Sequence, residues 1–259
     1  MARITHLFFK KAKGEPMSPS KTLQLLKGYG IENDINGSSI SPRQVLITRK
    51  EDLDDLNIVY GGLRENIIVE GLSQSDFVPG GLLHIGDNVK IRLTFHCEPC
   101  KRIADVVPNM KDVINRRGIL GVVIEGGIIG VKHKITCSPN MFTAFSEIPY
   151  QRFLNFIQYI PYGKVATYKM VTAGMGVAES YIRAIPKYID RCSSEINTYP
   201  VHRIVDTGGA VIDNYVPCQV RMLQQEQVHV IATLDLFDNG GCRVPLSQFL
   251  WSGEALYLN

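Results

Sequence analysis

The sequence has 259 residues, 45% of them hydrophobic and 20% charged, with a net charge of +3; this length favours two domains, and the composition fits a soluble globular protein. No apolar run is long enough to cross a bilayer, and the N-terminal LFF precedes three lysines, which is the wrong order for a signal peptide. Six cysteines are too sparse for a disulfide framework, so we expect reduced thiols, a cytoplasmic location and no membrane partner.

The first half of the chain carries short β-type segments separated by glycine, among them RQVLIT, ENIIVEGL, VKIRLTF and GVVIEGGIIGV. Such segments at this spacing favour a mainly β, barrel-like or sandwich-like domain. From Cys137 to Pro149 the pattern lapses into CSPNMFTAFSEIP, which has two prolines and no clear period. We therefore predict a mainly β domain over residues 1–140 and a second, mainly α domain over residues 148–259.

Helical patterns begin after this boundary. In PYQRFLNFIQYI, Phe153, Phe156 and Ile160 recur at steps of three and four residues, the spacing of one buried helix face. A short apolar helix in TYKMVTA, the turn GMG and a second helix in AESYIRAIPKYIDR follow. This order predicts a helix-turn-helix unit, although helix pairs joined by glycine are also common in enzymes.

Basic residues are concentrated in this region. Residues 151–191 carry a net charge of +4, whereas residues 192–259 carry −4. A basic segment favours a face that meets phosphates, and a solvated helix face explains it equally well. We predict phosphate contacts for Lys164, Lys169 and Lys187.

Several motifs of the second half occur in a fixed order: IPYGKVATYKMVTAGMG, Arg183, YPVHRIVDTGG, NY and RMLQQEQV. Together they resemble the DNA-binding domain of the O6-alkylguanine-DNA alkyltransferases. The C-terminal GGCRVPLSQFLW is similar to the tail of the alkyltransferase-like proteins. The resemblance extends over residues 150–253.

In the alkyltransferases the loop reads Pro-Cys-His-Arg, and its cysteine accepts the alkyl group because only a thiolate is a good nucleophile. This chain has Val201 at that position, which excludes direct dealkylation. His202 and Glu226 match the activating residues, but without a thiol they can only be structural. Alkyltransferase-like proteins lack the cysteine. That resemblance implies binding of O6-alkylguanine in double-stranded DNA by nucleotide flipping, with nucleotide excision repair proteins as further partners.

The resemblance also implies roles for single residues. Tyr168 would rotate the 3′ phosphate, Arg183 would fill the gap left in the base stack, and Tyr215 would line the pocket. The small apolar Val201 would leave room for the alkyl group. The residues assigned to DNA and lesion binding are Tyr168, Arg183, Pro200, Val201, His202, Arg203 and Tyr215.

Pro186 departs from the family pattern, and so does Cys192, which stands where the family has an asparagine. Pro186 stands where the family usually has glycine, and proline inside a helix removes an amide donor and bends the axis. We therefore expect a bend just after Arg183. Cys192 and Cys218 are alternative nucleophiles, but structural or incidental thiols are the favoured interpretation.

Motifs of the first half also occur in a fixed order: GEPM, GIENDIN, RQVLI, RENIIVEGL, PGGLLHIGD, CEPCK and RRGILGVVIEGG. Over residues 1–136 they resemble a MOSC domain, named for the C-terminal domain of molybdenum cofactor sulfurases. The resemblance implies a barrel-like fold and a catalytic cysteine that carries sulfur or meets the molybdenum cofactor; Cys100 is its best match. Arg43 and Asn66 match positions that face this anionic cofactor.

Apart from any resemblance, Cys97 and Cys100 form a C-x-x-C pair, which suits redox chemistry or half a zinc site. No second pair completes a zinc site, so we predict no metal ion held by protein ligands alone. Lys101 and Arg102 directly after Cys100 would favour its thiolate. The alternative interpretation is a pair of structural cysteines at a strand end.

These observations predict a two-domain fusion whose second domain senses alkylated guanine in DNA without repairing it. An alternative is a molybdenum-dependent or sulfur-transfer enzyme that acts on modified bases and is delivered to DNA by the second domain. A third interpretation is a partner-binding scaffold in which both domains are degenerate.

Overall fold

The computed structural model describes residues 1–233, 241–253 and 256–258. The chain divides into two compact units, Met1–Glu147 with Ala255–Asn259 and Ile148–Glu254. Across the described residues, no helix has both the length and the apolar character needed to span a bilayer.

The first unit is built mainly from strands. They are β1 (Arg3–Phe9), β2 (Ser18–Ser20), β3 (Thr22–Leu26), β4 (Gly30–Ile31), β5 (Val45–Arg49), β6 (Ile67–Glu70), β7 (Leu82–Ile85), β8 (Val89–His96), β9 (Ile119–Glu125), β10 (Gly127–Gly130) and β11 (Ile135–Ser138), with helix α1 (Lys50–Asp55) after β5. The large sheet has the order β11-β7-β8-β9-β5-β6-β1-β2, and a smaller sheet has the order β10-β3-β4. Pairing in the large sheet is antiparallel except between β5 and β6.

The large sheet curls towards closure. The amide of Ile4 in β1 donates to the carbonyl oxygen of His133, and the amide of Ile135 at the start of β11 donates to Ala2, each at 3.0 Å. Because β1 and β11 lie near opposite ends of the strand order, these bonds bring the two ends together. The predicted sheet-rich, barrel-like fold is confirmed, although the described strands do not close into a barrel.

Two clusters of buried side chains hold this unit together. One lies on the face formed by residues such as Ile4, Ile67 and Ile91, which are fully buried. The other joins α1 to the long connection between β8 and β9 through Leu53, Ile103 and Val113. Since Ile103 and Val113 are almost completely buried, the connection that carries Cys100 is anchored at the last residue of its short 3-10 helix, Lys101–Ile103, and again further along at Val113.

The second unit is mainly helical. Its elements are α2 (Pro149–Ile157), β12 (Ala166–Thr167), α3 (Tyr168–Gly174), α4 (Ile185–Cys192), β13 (Ile204–Val205), α5 (Gln219–Gln225), β14 (Ile231–Thr233), β15 (Gly241–Arg243) and α6 (Leu246–Phe249). The predicted buried face of α2 is confirmed, because Phe153 and Phe156 are buried. Helix α3 packs closely against α2 at Gly174, where a Cβ atom would lie 1.9 Å from the ring of Phe156.

The second predicted helix of the helix-turn-helix pattern consists of two parts. Glu179–Ala184 form a 3-10 helix, and α4 follows directly. Pro186 lies in the first turn of α4, where an amide has no partner within the helix and proline is well tolerated. The expected disruption of a helix interior by Pro186 is therefore wrong, and Arg183 lies near the end of the 3-10 part.

Candidate nucleic-acid interface and cysteine site

Two short strands bring distant parts of the second unit together. Strands β12 and β13 pair in parallel, with Ala166 opposite Ile204 and Thr167 opposite Val205. Helix α3 starts immediately after β12, and its cap Thr167 accepts a hydrogen bond from the Met170 amide at 3.3 Å. Strand β13 follows a 3-10 turn over Val201–Arg203. The pairing therefore places Tyr168, the first residue of α3, beside this loop.

A buried carboxylate anchors the loop. Oε1 of Glu226 lies 2.9 Å from Nε2 of His202 and 2.7 Å from Nη2 of Arg203. Its Oε2 accepts the Gly163 amide at 3.0 Å. Arg203 also donates through Nη1 to the carbonyl oxygen of Ile160 at 2.7 Å. Glu226 and Arg203 thus tie the 201–203 turn to the end of α5 and to the 160–163 turn.

Burial by itself would raise the pKa of Glu226. The hydrogen bonds from Arg203, His202 and the Gly163 amide outweigh burial and lower the pKa below its ordinary value of 4.5. Glu226 is therefore ionised at neutral pH, which makes Nε2 of His202 the donor in this hydrogen bond. Nδ1 is buried and has no hydrogen-bond partner among the described residues.

Replacing Glu226 with Gln should lower the free energy of unfolding at neutral pH by about 3 kcal/mol, because it leaves the charge of Arg203 buried without its partner. Since the folded pKa is depressed, the contribution of Glu226 is complete above about pH 4.5 and is lost as the pH falls through the folded value. Urea denaturation followed by fluorescence of Trp251, the single tryptophan, should show this loss of unfolding free energy at pH 7. The loss should be smaller at lower pH. The exposed Glu179 provides the control, because Glu179→Gln should leave the free energy of unfolding unchanged at pH 7 and at lower pH.

Val201 lies at the centre of this frame and is fully buried. Its amide donates to the carbonyl oxygen of Tyr199 at 2.7 Å. The carbonyl oxygens of His202 and Ile204 accept from the side-chain amide of Gln219 at 2.9 and 2.6 Å. The loop is therefore held by its neighbours, and the side chain of Val201 contributes apolar packing only.

Tyr168, Tyr215 and the carboxylate of Asp206 lie close together beside the loop. Tyr168 is 9% exposed, and burial, followed by the nearby Asp206 and Tyr215, raises its pKa to about 12. Its hydroxyl is therefore neutral and can donate a hydrogen bond. Tyr215 is 40% exposed, so the structure brings the two predicted site tyrosines near each other, one buried and one open to solvent.

Fewer basic side chains of residues 151–191 are exposed than the charge count indicated. Arg183, Lys169 and Lys187 are exposed. Lys164, in contrast, donates its ammonium group to the carbonyl oxygen of Gln248 at 3.0 Å, and Arg152 is 3% exposed and donates to Met175. The charge of Arg152 therefore belongs to the interior of this unit.

The two thiols considered as substitute nucleophiles differ in accessibility. Cys192 is 1% exposed, and burial raises its pKa to about 11. Cys218 is exposed and precedes α5 with a positive φ of 64°. Cys192 thus has the properties of a structural thiol.

In the first unit, the buried Arg117 contacts the sulfur of Cys100. The side chain of Arg117 is almost fully buried and donates through Nη1 to the carbonyl oxygen of Glu98 and to Sγ of Cys100, the latter at 3.2 Å. Burial by itself would raise the pKa of Cys100, but the charge of Arg117, the amide of Arg102 and the Arg117 hydrogen bond outweigh it and lower the pKa. The thiolate is favoured, as predicted, but Arg117 contributes more than the adjacent Lys101 and Arg102 side chains.

Sequence spacing gives no direct sign of this contact. Arg117 lies 17 positions after Cys100, two residues before β9 begins at Ile119. The amide of Cys97 donates to the carbonyl oxygen of Gly118 at 2.9 Å, and this link between the two strands brings Arg117 beside the C-x-x-C segment. The pairing of β8 with β9 is what places Arg117 next to Cys100.

The other two predicted cofactor residues lie in different surroundings. Arg43 donates to Sγ of Cys97 at 3.4 Å and forms an ion pair with Glu98 at 3.0 Å, so it belongs to the cysteine segment. Asn66 is buried, and its side chain joins Leu46, Phe8 and Asp34 by hydrogen bonds of 3.0 to 3.3 Å. These contacts make Asn66 part of the internal scaffold, and its cofactor contact stays a prediction.

A cleft of about 200 Å³ is lined by the cations Lys10, Arg64 and Arg102 and by the carboxylates Glu15 and Asp105. Arg102 lies two positions after Cys100. Lys10 is 7% exposed, and burial, followed by the charges of Arg64 and Arg102, lowers its pKa. Three cations against two carboxylates leave the cleft with a net positive charge, which favours an anion. Within the described part of the chain, no group of three or more His, Cys, Asp or Glu side chains is placed to hold a metal ion.

The fold and these two sites define a two-part protein, in which a sheet-rich cysteine domain is joined to a helical DNA-binding domain. Family models match both parts: a MOSC domain over residues 36–136, and the DNA-binding domain of 6-O-methylguanine DNA methyltransferase over residues 149–228. The chain is therefore a MOSC domain fused to an alkyltransferase-like DNA-binding domain, with Val201 at the acceptor-cysteine position.

Several solved structures are similar to parts of the chain. The YuaD protein from Bacillus subtilis is 15% identical over 54% of this chain and 97% of its own, with a TM-score of 0.48. S. pombe Atl1, in complex with damaged DNA containing O6-carboxymethylguanine, is 24% identical over 40% of this chain and 94% of its own, with a TM-score of 0.35. YiiM from Geobacillus stearothermophilus is 13% identical over 87% and 99%, with a TM-score of 0.43. No curated protein matches the chain. Since these TM-scores are all below 0.5, the assignment depends on the family models.

Proposed function

We propose that the second unit binds O6-alkylguanine in duplex DNA by flipping the nucleotide, transfers no alkyl group, and flags the lesion for nucleotide excision repair proteins. One observation carries this proposal: Val201 replaces the acceptor cysteine inside a frame in which His202 and Arg203 both hydrogen-bond to the carboxylate of Glu226. A frame that had lost all function would have no reason to keep a buried ion pair, which adds little stability over apolar packing.

The proposal assigns one residue to each step of nucleotide flipping. An O6-alkylated guanine pairs poorly, so its extrusion costs less than that of an intact guanine. The neutral hydroxyl of Tyr168 donates to the phosphate that turns with the nucleotide, and the exposed Arg183 enters the gap in the stack. Val201 is fully buried, so its methyl groups would meet the alkyl substituent once the loop opens around the flipped base. Apolar burial is worth about 0.8 kcal/mol per methylene.

The same proposal gives α3 and the segment Glu179–Cys192 the role of a helix-turn-helix unit. In such units the second helix lies in a groove of DNA. The exposed Lys169 and Lys187 lie on these elements, where they meet the phosphate backbone.

A titration of the whole chain with three duplexes tests the function: unmodified, O6-methylguanine, and a duplex with a thymine mismatch at the same guanine. We expect tightest binding to the alkylated duplex at every salt concentration, measured by fluorescence anisotropy. Equal affinity for the mismatched and alkylated duplexes would show recognition of weak pairing alone and would contradict an alkyl-binding pocket. The cytoplasmic location stays a prediction.

For the first unit we propose a cofactor or sulfur-carrier role, because the cationic cleft and the activated thiol lie close together. The residues fit an anionic cofactor such as the molybdenum cofactor: Lys10, Arg64 and Arg102 would hold its phosphate, and Sγ of Cys100 would face its metal. When bound, that cofactor would supply oxidation and reduction at the metal. The charge and the hydrogen bond of Arg117 lower the pKa of Cys100. The alternative is an enzyme that acts on modified bases and is delivered to DNA by the second unit.

Substituting Cys100 with Ser should abolish retention of the cofactor, or of a sulfane sulfur, by the purified protein, because serine offers no thiolate at this position. Molybdenum content, pterin fluorescence and cyanide-released sulfur measure the loss. Cys137→Ser is the matched control, since burial raises the pKa of that thiol to about 11. Cofactor or sulfur that survives in the Cys100→Ser protein would show that the assignment is wrong.

A further inference from the structure

The C-terminal tail, defined here as residues 241–253, lies beyond the part of the chain that the DNA-binding family model matches. Its strand β15 pairs with the turn that follows the 201–205 segment. The amide of Val211 donates to the carbonyl oxygen of Cys242 at 3.0 Å, and the amide of Val244 donates to Gly209 at 2.9 Å. The tail is thus fixed to the loop that carries the candidate site.

The same tail is fixed to the segment that leads to Tyr168. The amide of Val165 donates to the carbonyl oxygen of Phe249, and the amide of Trp251 donates back to Val165, both at 2.9 Å. Val244 is buried in the same apolar cluster as Val165 and Val205. The tail therefore joins the two chain segments that present the site, one before Tyr168 and one after Arg203.

One cation of the tail faces this site. Arg243 is exposed, and among the described residues its guanidinium forms no ion pair. A Cβ atom added to Gly208 would lie 3.8 Å from Nη1 of Arg243 and 3.5 Å from Oδ1 of Asp206. Asp206 is in turn close enough to Tyr168 to act on its hydroxyl. Arg243 and Tyr168 therefore flank the same short turn.

Among the described residues, the nearby carboxylate of Asp206 forms no ion pair with Arg243. Oδ1 of Asp206 accepts the amides of Gly208 and Ala210 at 2.8 and 2.7 Å, so it is engaged by its own turn. An exposed guanidinium that forms no ion pair among the described residues is suited to a phosphodiester, which guanidinium groups bind in a bidentate manner.

We propose that the tail completes the DNA-binding surface and that Arg243 binds a backbone phosphate on the Tyr168 side of the flipped nucleotide. The inference rests on the proposed DNA-binding function. It adds a contact outside the helix-turn-helix segment and explains why the tail is paired with both site segments.

The test measures affinity for the O6-methylguanine and unmodified duplexes across a salt series with the whole chain. Arg243→Ala should weaken both duplexes by a similar factor and reduce the slope of log affinity against log salt by about 0.9. Lys111→Ala removes the same charge from an exposed position of the first unit and should leave the slope unchanged. Arg243→Gln keeps the aliphatic stem and replaces the Ala variant if that variant fails to fold.

A scan of single methylphosphonates along the lesion strand locates the contact. One neutralised phosphate near the lesion should weaken the wild-type protein and have no further effect on Arg243→Ala. A slope equal to that of Lys111→Ala, or additive losses at every phosphate, would overturn the inference while leaving lesion binding intact. Absence of DNA binding by the wild-type protein would overturn the proposed function itself, so the two failures are distinguishable.

Discussion

Replacing Val201 with cysteine should convert the second unit into a single-turnover methyl acceptor, whereas the wild-type chain should transfer no methyl group. The new thiol would lie next to His202, whose Nδ1 is buried without a partner and whose Nε2 is held by Glu226. His202 would take the thiol proton, and the sulfur would then attack the methyl carbon. The bond to O6 would break, and guanine would regain a proton. Valine and cysteine are close in volume, so the packing cost is small.

Intact-mass spectrometry after incubation with O6-methylguanine DNA measures this gain, and we expect one methyl group per chain of V201C. Val201→Ser is the matched control, because a hydroxyl lacks the nucleophilicity of a thiolate. The V201C/H202A double variant should react far more slowly. A V201C protein that binds lesion DNA but stays unmethylated would show that the frame positions no base. Methylation of Cys192 or Cys218 in the wild-type chain would contradict the binding-only function.

Elements with a strong local pattern could be predicted from the sequence. Phe153 and Phe156 indicated the buried face of α2, and both are buried. The motif around Val201 indicated a loop held by His202 and Glu226, and these two side chains are 2.9 Å apart. The buried face of α2 could be predicted because residues within one helix turn show its periodicity. The loop could be predicted because several motifs occur together.

Properties that depend on tertiary neighbours could not be predicted in this way. Charge counting placed Arg152 on the basic face, but the α2 periodicity did not reveal that its side chain is buried and bonded to Met175. Adjacent residues suggested Lys101 as a partner of Cys100, whereas strand pairing supplies Arg117. Pro186 was expected to disturb a helix interior, but a 3-10 segment ends just before it and places it at a helix start.

Replacing Arg183 with Ala should reduce the preference for alkylated DNA more than it reduces affinity for DNA in general. Arg183 is exposed at the end of a 3-10 helix, so its side chain is free to enter the duplex. Unstacking a base costs a few kcal/mol, and about 1.4 kcal/mol corresponds to tenfold in affinity. Loss of the side chain that fills the gap should therefore weaken O6-methylguanine binding by roughly tenfold or more. Binding to the unmodified duplex should lose only one phosphate-type contact.

Lys187→Ala is the matched control, because Lys187 is an exposed cation on the adjoining helix α4. It should weaken both duplexes equally and lower the salt slope by about 0.9. Arg183→Lys separates charge from shape, since lysine keeps the charge but lacks the planar guanidinium that stacks on bases. All affinities are compared at one salt concentration, because the electrostatic contribution would otherwise hide the difference. If Arg183→Ala and Lys187→Ala weaken the two duplexes by the same factor, Arg183 is an ordinary phosphate contact and another side chain supports the flipped state.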